Sequence, residues 1–133
     1  MKYSSTEILD TLSFFDSWEE RYKYIIDLGK DLPPMDAAKK TDENIVRGCQ
    51  SKVWLTAQEE DGVVRLSADS DAFIVKGLLA VVLAAFDNKT REEINNFDIE
   101  TYLSEMQLMK HLSSTRGNGV RAVVDRIQQY AQD

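Results

Sequence analysis

The chain has 133 residues, 43% of them hydrophobic, and its 16 basic and 23 acidic residues give a formal net charge of −7. A chain of this size and composition suffices for one continuous hydrophobic core, so we expect a single domain over residues 1–133. The negative charge opposes contact with a phosphate backbone and argues against nucleic acid as a partner.

Two features argue against a membrane or a secretory route. The first ten residues alternate polar and charged groups and contain no apolar run typical of a signal peptide, so we expect a cytoplasmic protein. The longest apolar stretch, residues 72–86, includes Lys76 and is shorter than the roughly 18 to 20 residues that span a bilayer. It predicts a buried helix instead.

The chain has one cysteine, Cys49, and one histidine, His111. A single cysteine cannot close an internal disulfide, and this pair cannot supply a four-ligand zinc site or hold an iron–sulfur cluster alone. We therefore expect no directly bound cofactor, and any chemistry of the thiol must involve another molecule.

The N-terminal segment predicts two helices. Ser4 with Glu7 and Ser17 with Glu20 have the spacing of a capping box, which marks a helix start. The second helix carries an apolar stripe formed by Trp18, Tyr22, Ile25 and Ile26. Gly29 is predicted to end it, and residues 35–43, which are polar with little periodicity, predict a loop or short helix.

The middle of the chain predicts a β-hairpin. Residues 52–58 and 63–68 are rich in β-branched and aromatic side chains, and the turn sequence Glu60-Asp61-Gly62 separates them. Residues 45–47 have a similar composition and suggest a third strand ahead of Cys49.

A central helix is predicted to follow the hairpin and to pack on the sheet. Ser70 is the expected N-cap, Asp71 suits the positive end of the helix dipole, and the residues up to Phe86 are apolar on nearly all sides.

The C-terminal part is predicted to be helical as well. Thr90 with Glu93 forms a third capping box, and residues 99–106 indicate another helix. Residues 113–119 are predicted to form a turn before a last helix, whose apolar stripe over 120–130 belongs to the core. The order of helices, strands and helices predicts an α+β fold with a small antiparallel sheet.

The thiol of Cys49 is the best candidate for chemistry. Gly48 permits positive φ, which can aim the thiol from a loop. A thiol with a pKa near 8.5 is only about 3% ionised at pH 7, and Arg47 and Lys52 could lower that pKa if they share its side of the backbone. From these residues alone, a buried structural cysteine is the competing interpretation.

Three further side chains have a functional and a structural interpretation. His111 could act as a general base but equally suits a surface position. Arg116 could bind a carboxylate of a partner or be a solvated loop residue. Asp71 could contact a partner or serve as a helix-start charge.

The segment Gly48-Cys49-Gln50-Ser51, followed by Val53-Trp54, resembles the active-site segment of the SufE family and its close relative CsdE. Further matches follow in the expected order over residues 18 to 125. They are Trp18-Glu19 with Tyr22, Leu28-Gly29, Leu32-Pro33, Asp69-Ser70-Asp71, residues 74–78, His111-Leu112, Arg116 and Gly119.

The resemblance implies a sulfur carrier. Cys49 would take sulfane sulfur as a persulfide from a cysteine desulfurase that uses pyridoxal phosphate, stimulate that enzyme, and pass the sulfur on to an iron–sulfur scaffold or another acceptor. The implied fold is similar to that of the iron–sulfur scaffold proteins, and Gly48, Gln50, Asp71 and Arg116 become candidates for partner contact. The acidic net charge favours a partner that presents basic side chains.

Two alternatives remain open on the sequence. A hydrolase with Cys49 as nucleophile and His111 as base requires the two side chains within hydrogen-bond reach. An interaction module with an inert buried cysteine requires no chemistry at all.

Overall fold

The computed structural model describes residues 3–49 and 51–133, and all elements below belong to this part of the chain. Helices α1 (Ser5–Ser13) and α2 (Trp18–Lys30) open the fold. Both begin where predicted. Ser4 and Glu7 form a reciprocal capping box, and the Ser17 hydroxyl accepts a hydrogen bond from the amide of Glu20.

The prediction that Gly29 ends α2 is wrong. The helix continues to Lys30, and Gly29 is buried against helix α3 (Phe73–Phe86). A Cβ at Gly29 would lie 2.7 Å from the amide nitrogen of Gly77, and a Cβ at Gly77 would overlap the carbonyl oxygen of Ile25. The two glycines therefore allow the helices to pack with their backbones in close contact.

The hairpin forms as predicted. Strands β1 (Val53–Glu60) and β2 (Val63–Ser70) pair antiparallel over their full length. Between them Asp61 and Gly62 adopt φ values of 54° and 83°, the two positive values of a tight hairpin turn whose twist matches the strands.

The segment before Cys49 forms less β-structure than predicted. Two short 3-10 helices, Ala37–Lys39 and Asp42–Asn44, precede it. The suggested third strand is reduced to an isolated bridge between Ile45 and Trp54.

The predicted start of the central helix is wrong by a few residues. Ala72, not Ser70, is the N-cap residue of α3, because Ser70 is still paired with Val53 in the sheet. The Ser70 hydroxyl donates to the carbonyl of Lys52 at 2.7 Å and accepts from the amide of Ala72. Asp71 lies in the connection between strand and helix, outside the helical turn.

Four helices complete the described chain: α4 (Arg91–Asn96), α5 (Ile99–Glu105), α6 (Leu108–His111) and α7 (Ser114–Gln132). The capping box of Thr90 and Glu93 is present at the start of α4. The predicted turn over residues 113–119 is wrong. Ser113 caps α7 by accepting from the amide of Arg116, so this run forms the first turns of the helix.

Helix α3 occupies the centre of the core, and its second half is buried on all sides. It contacts β2, while α7 contacts β1. Buried positions alternate along the strands, with Val53 and Leu55 on the same face as Ala68 and Leu66. The α+β class with a small antiparallel sheet is confirmed. None of the helices in the described residues has the length and apolar character that a bilayer crossing requires.

Candidate functional site

Cys49 lies at the end of a segment, residues 43–49, that we call the thiol segment. The side chain is half-buried, and its Sγ donates to the carbonyl oxygen of Gly119 in α7 across 3.6 Å. A Cβ at position 119 would lie 3.4 Å from that Sγ. The thiol is thus seated directly on the backbone of α7.

Gly48 turns the backbone into this position. Its φ is +93°, a value that side-chain-bearing residues rarely adopt, and a Cβ at this position would point to Ala122 of α7 at 3.6 Å. The glycine is therefore needed for its conformation, which places Cys49 on α7.

The thiol borders a small apolar cavity of about 30 Å³. Its apolar lining comes mainly from Val75, Leu78, Leu79 and Val82 of α3 and from Val120 and Val123 of α7. A cavity of this volume has room for one or two water-sized atoms. Arg116 of α7 also lines it and brings a positive charge to the wall of the cavity.

Burial raises the pKa of the Cys49 thiol, because the thiolate loses hydration in this apolar setting. Three cationic side chains lie close to Cys49. Arg47 and Lys52, both exposed, are its neighbours in the sequence, and the half-buried Arg116 lines the same cavity. None of the three side chains forms a hydrogen bond or ion pair with another described residue.

Asp71 is exposed and is positioned near the chain that follows the thiol. Its Oδ1 accepts from the amide of Lys52 at 3.2 Å, so it fastens this residue to the start of α3. Of the other residues predicted to contact a partner, Gly48 and Arg116 both adjoin the thiol, whereas Gln50 lies outside the described residues.

His111 contacts a different part of the molecule. Its ring stacks on Trp18 with the ring centroids 4.3 Å apart and the planes 11° from parallel. His111 is absent from the lining of the cavity at Cys49. The geometry therefore offers no support for a pairing of Cys49 with His111. Within residues 3–49 and 51–133 there is also no group of three or more His, Cys, Asp or Glu side chains that could hold a metal ion.

Sequence reasoning missed the role of α7 in this site. Gly119, Ala122 and Arg126 all contact the thiol segment, and none of them was predicted to do so. The available signal was Gly119, since a glycine inside a helical pattern often has a packing reason, here the contact with Cys49. Its neighbours Gly117 and Asn118 made a turn the more obvious interpretation.

A comparison with protein-family models matches residues 6–131 to the SufE family, described as an Fe-S metabolism associated domain. The chain belongs to the SufE family. The match includes Cys49 and the entire wall of its cavity, so the geometry described above is that of a SufE domain.

Relatives support this assignment. An uncharacterized SufE-like protein of Rhizobium meliloti is 44% identical, with 97% of this chain and 95% of the relative covered. Another of Rhizobium etli is 43% identical, with coverage of 97% and 90%. Among solved structures, a hypothetical protein from Thermus thermophilus shares the fold, with a TM-score of 0.78 at 19% identity and coverage of 96% and 93%.

Proposed function

We propose that this protein carries sulfane sulfur on Cys49. A cysteine desulfurase that uses pyridoxal phosphate supplies the sulfur as its own persulfide, and an iron–sulfur scaffold or another acceptor takes it from Cys49. The observation that supports this proposal most is the seat of the chain's one cysteine, a half-buried thiol beside an apolar cavity. Membership of a family associated with Fe-S metabolism agrees with it.

The reaction is a thiol–persulfide exchange. The Cys49 thiolate attacks the outer sulfur of the desulfurase persulfide, a new S–S bond forms at Cys49 Sγ, and the old S–S bond breaks. The desulfurase cysteine leaves as a thiolate and takes up the proton that Cys49 released. Two thiol-level groups and one sulfane sulfur are present before and after, so no external oxidant or reductant is needed.

Stimulation of the desulfurase follows from this step. As long as its cysteine carries a persulfide, the enzyme cannot accept another sulfur atom. Transfer to Cys49 frees that cysteine for the next turnover, so the carrier accelerates a reaction that it does not itself catalyse.

The cavity suits the protection of the transferred atom. A persulfide is readily lost to small thiols and oxidants in the cytosol, where we place this reaction. The space beside Cys49 has room for about one additional atom of the size of sulfur. Because burial also keeps the thiol protonated in the free protein, we propose that docking moves Cys49 towards Arg47 and Lys52, which stabilise the thiolate.

The test is to incubate the protein with a cysteine desulfurase and free cysteine, and to measure its mass without reductant. We expect the addition of one sulfur atom at Cys49, none in a Cys49→Ser variant, and an undiminished yield in a His111→Ala variant. A desulfurase that becomes charged with persulfide while Cys49 stays unmodified contradicts the proposal. Loss of transfer in His111→Ala would instead favour a mechanism with this histidine as base.

A further inference from the structure

One face of α7 contacts both ends of the thiol segment. Gly119, Ala122 and Arg126 are three and four residues apart, which places them in a row on the helix surface. Cys49 lies on Gly119, Gly48 lies beside Ala122, and the carbonyls of residues 45 and 43 lie at Arg126. The segment therefore runs antiparallel to α7 along this row.

Arg126 makes the strongest polar contacts in the row. Its Nη1 donates to the carbonyl of Ile45, and its Nη2 donates to the carbonyl of Glu43 at 2.9 Å. These carbonyls lie at the C-terminal end of the 3-10 helix Asp42–Asn44, where backbone acceptors lack helical partners. The half-buried guanidinium satisfies both at once, and hydrogen bonds from a charged donor are stronger than neutral ones.

The other hydrogen bonds described for residues 43–52 connect them to parts of the fold other than α7. The amide of Val46 donates to the carbonyl of Val53 at 2.8 Å, and Lys52 is held by Ser70 and Asp71. These contacts tie the region to the hairpin and to the start of α3. Within the described residues, the side-chain hydrogen bonds between α7 and the thiol segment are those of Arg126 and the weak one from Cys49 to Gly119.

We propose that Arg126 is a positioning residue for Cys49: by fastening residues 43–45 to α7 it keeps the thiol on Gly119 in the free protein. When residues 43–45 separate from α7, Cys49 becomes exposed while strands β1 and β2 stay paired. The proposal rests on the proposed function only for its role in sulfur transfer, because the seating of the thiol is a property of the free protein.

The experiment uses the full chain without any desulfurase. It measures the rate at which Cys49 reacts with an aromatic disulfide that releases a coloured thiolate. The signal comes from Cys49 alone, since the chain has one cysteine. Arg126→Gln removes the guanidinium that donates to both carbonyls. We expect the Cys49 of this variant to react about tenfold faster, the equivalent of about 1.4 kcal/mol. Arg126→Lys keeps a charged donor that reaches one carbonyl, so its rate should lie between the two.

Arg121→Gln is the matched control. Arg121 is also in α7, but it is exposed and pairs with Glu100 rather than with the thiol segment. Cys49 in the Arg121→Gln variant should react at the wild-type rate. Equal acceleration in this control would overturn the proposal, because it would show that any lost arginine loosens α7.

The pH dependence of the rate gives a second readout, which reports whether the thiol still reacts from its buried position. Arg116 of α7 is the charged group in the cavity lining, Arg47 and Lys52 flank the thiol in the chain, and the lining from α3 and β1 is uncharged. These groups are unchanged by the substitution. If Cys49 moves away from Gly119 and becomes solvated, the pKa of its thiol should be lower in Arg126→Gln than in the wild type. Unfolding by urea checks that all variants are folded.

Besides equal acceleration in the control, two results overturn the proposal: a folded Arg126→Gln protein with the wild-type rate and titration midpoint, or, should that variant not fold, an Arg126→Lys protein identical to the wild type. The outcome is independent of the proposed function. If Cys49 gains no sulfur from a desulfurase but Arg126→Gln still exposes the thiol, the carrier role fails and the positioning role stands.

Discussion

The sulfur-transfer role that we propose for Cys49 contrasts with its environment, which suppresses the thiolate. Its Sγ lies on α7 beside an apolar cavity, and burial raises its pKa. A carrier benefits from this arrangement, since a protonated thiol reacts slowly with adventitious disulfides and oxidants. If the protein acts as proposed, docking must change the surroundings of the thiol as well as bring the partner close.

The raised pKa leads to a prediction on stability. Because the folded protein binds the thiol proton more tightly than the unfolded chain does, Cys49 contributes stability below its unfolded pKa that is lost as pH rises through the folded pKa. Between pH 7 and pH 10 the wild type should therefore lose more free energy of unfolding than Cys49→Ser. Urea denaturation at both pH values measures the difference, and parallel losses in the two proteins would contradict a thiol buried in its neutral form.

Asp69 is a buried carboxylate on the other face of the hairpin. Lys40 and Lys76 approach its two oxygens at 2.9 and 3.5 Å, and the amide of Ser70 donates to it at 2.8 Å. Burial raises the pKa of Asp69, but the hydrogen bonds from Lys40 and Ser70 and the charge of Lys76 outweigh it and hold the pKa below its usual value. The carboxylate therefore joins β2, α3 and the end of the first 3-10 helix.

We expect Asp69→Asn to lower the free energy of unfolding at pH 7 by about 1 kcal/mol, a modest value because both lysines are about one third exposed. The stabilisation by a carboxylate of lowered pKa is present above its unfolded pKa. It disappears as pH falls through the folded pKa, within the range of about pH 5 to pH 1. Urea titrations of both proteins along this range should converge, and a constant difference would assign the effect to packing instead.

At the scale of the elements, the crossing of α2 and α3 depends on the absence of a side chain at Gly77. An alanine there would favour the helix by up to about 1 kcal/mol, but its Cβ would overlap the carbonyl of Ile25. Overpacking against backbone typically costs about 1 to 3 kcal/mol, so we expect Gly77→Ala to be destabilising.

Gly117→Ala is the control for this substitution. It is also a buried helical glycine, but its added Cβ would meet only the flexible end of Met109 at 3.2 Å. This variant should be neutral or more stable by up to about 1 kcal/mol. Thermal unfolding of both variants tests the contrast, and equal midpoints would show that the crossing tolerates a methyl group.

Capping residues, the hairpin turn and apolar periodicity allowed most of the elements to be predicted. These signals are local, since a capping box or a two-residue turn is encoded within four residues. The wrong predictions at two glycines arise from contacts between residues that are far apart in the chain. Gly29 and Gly119 were interpreted by their local preference for turns, whereas contacts with Gly77 and Cys49 determine their place inside helices.

The same limit applies to the candidate site. Cys49 and its glycine are adjacent in the chain, so sequence patterns single them out. The approach of Arg126 to the carbonyls of Glu43 and Ile45 spans more than 80 residues and depends on how α7 packs. No local pattern contains that information. The start of α3 was misplaced for a related reason, because pairing of Ser70 with Val53 extends the strand at the expense of the helix.

At the scale of the whole molecule, net charge and local charge differ in sign. The chain carries −7, yet Arg47 and Lys52 flank Cys49 in the sequence and Arg116 lines its cavity. Electrostatic interactions between exposed groups are screened over about 8 to 10 Å at physiological ionic strength. If a cysteine desulfurase is the partner as proposed, the charges near Cys49 should matter more for docking than the net charge does, and the desulfurase should present acidic groups where it contacts the thiol segment.

Two charge reversals separate these effects. Arg47→Glu and Arg65→Glu change the net charge equally but lie in different places. Arg47 follows Val46, which is bonded to Val53 at the start of β1, whereas Arg65 is paired with Gln58 near the end of β1. Five residues of strand, about 16 Å, separate these ends. If local charge steers docking, Arg47→Glu should slow association with a cysteine desulfurase several-fold at low salt, and Arg65→Glu should not. Stopped-flow association rates at low and high salt decide the question, because steering by net charge would slow both variants or neither.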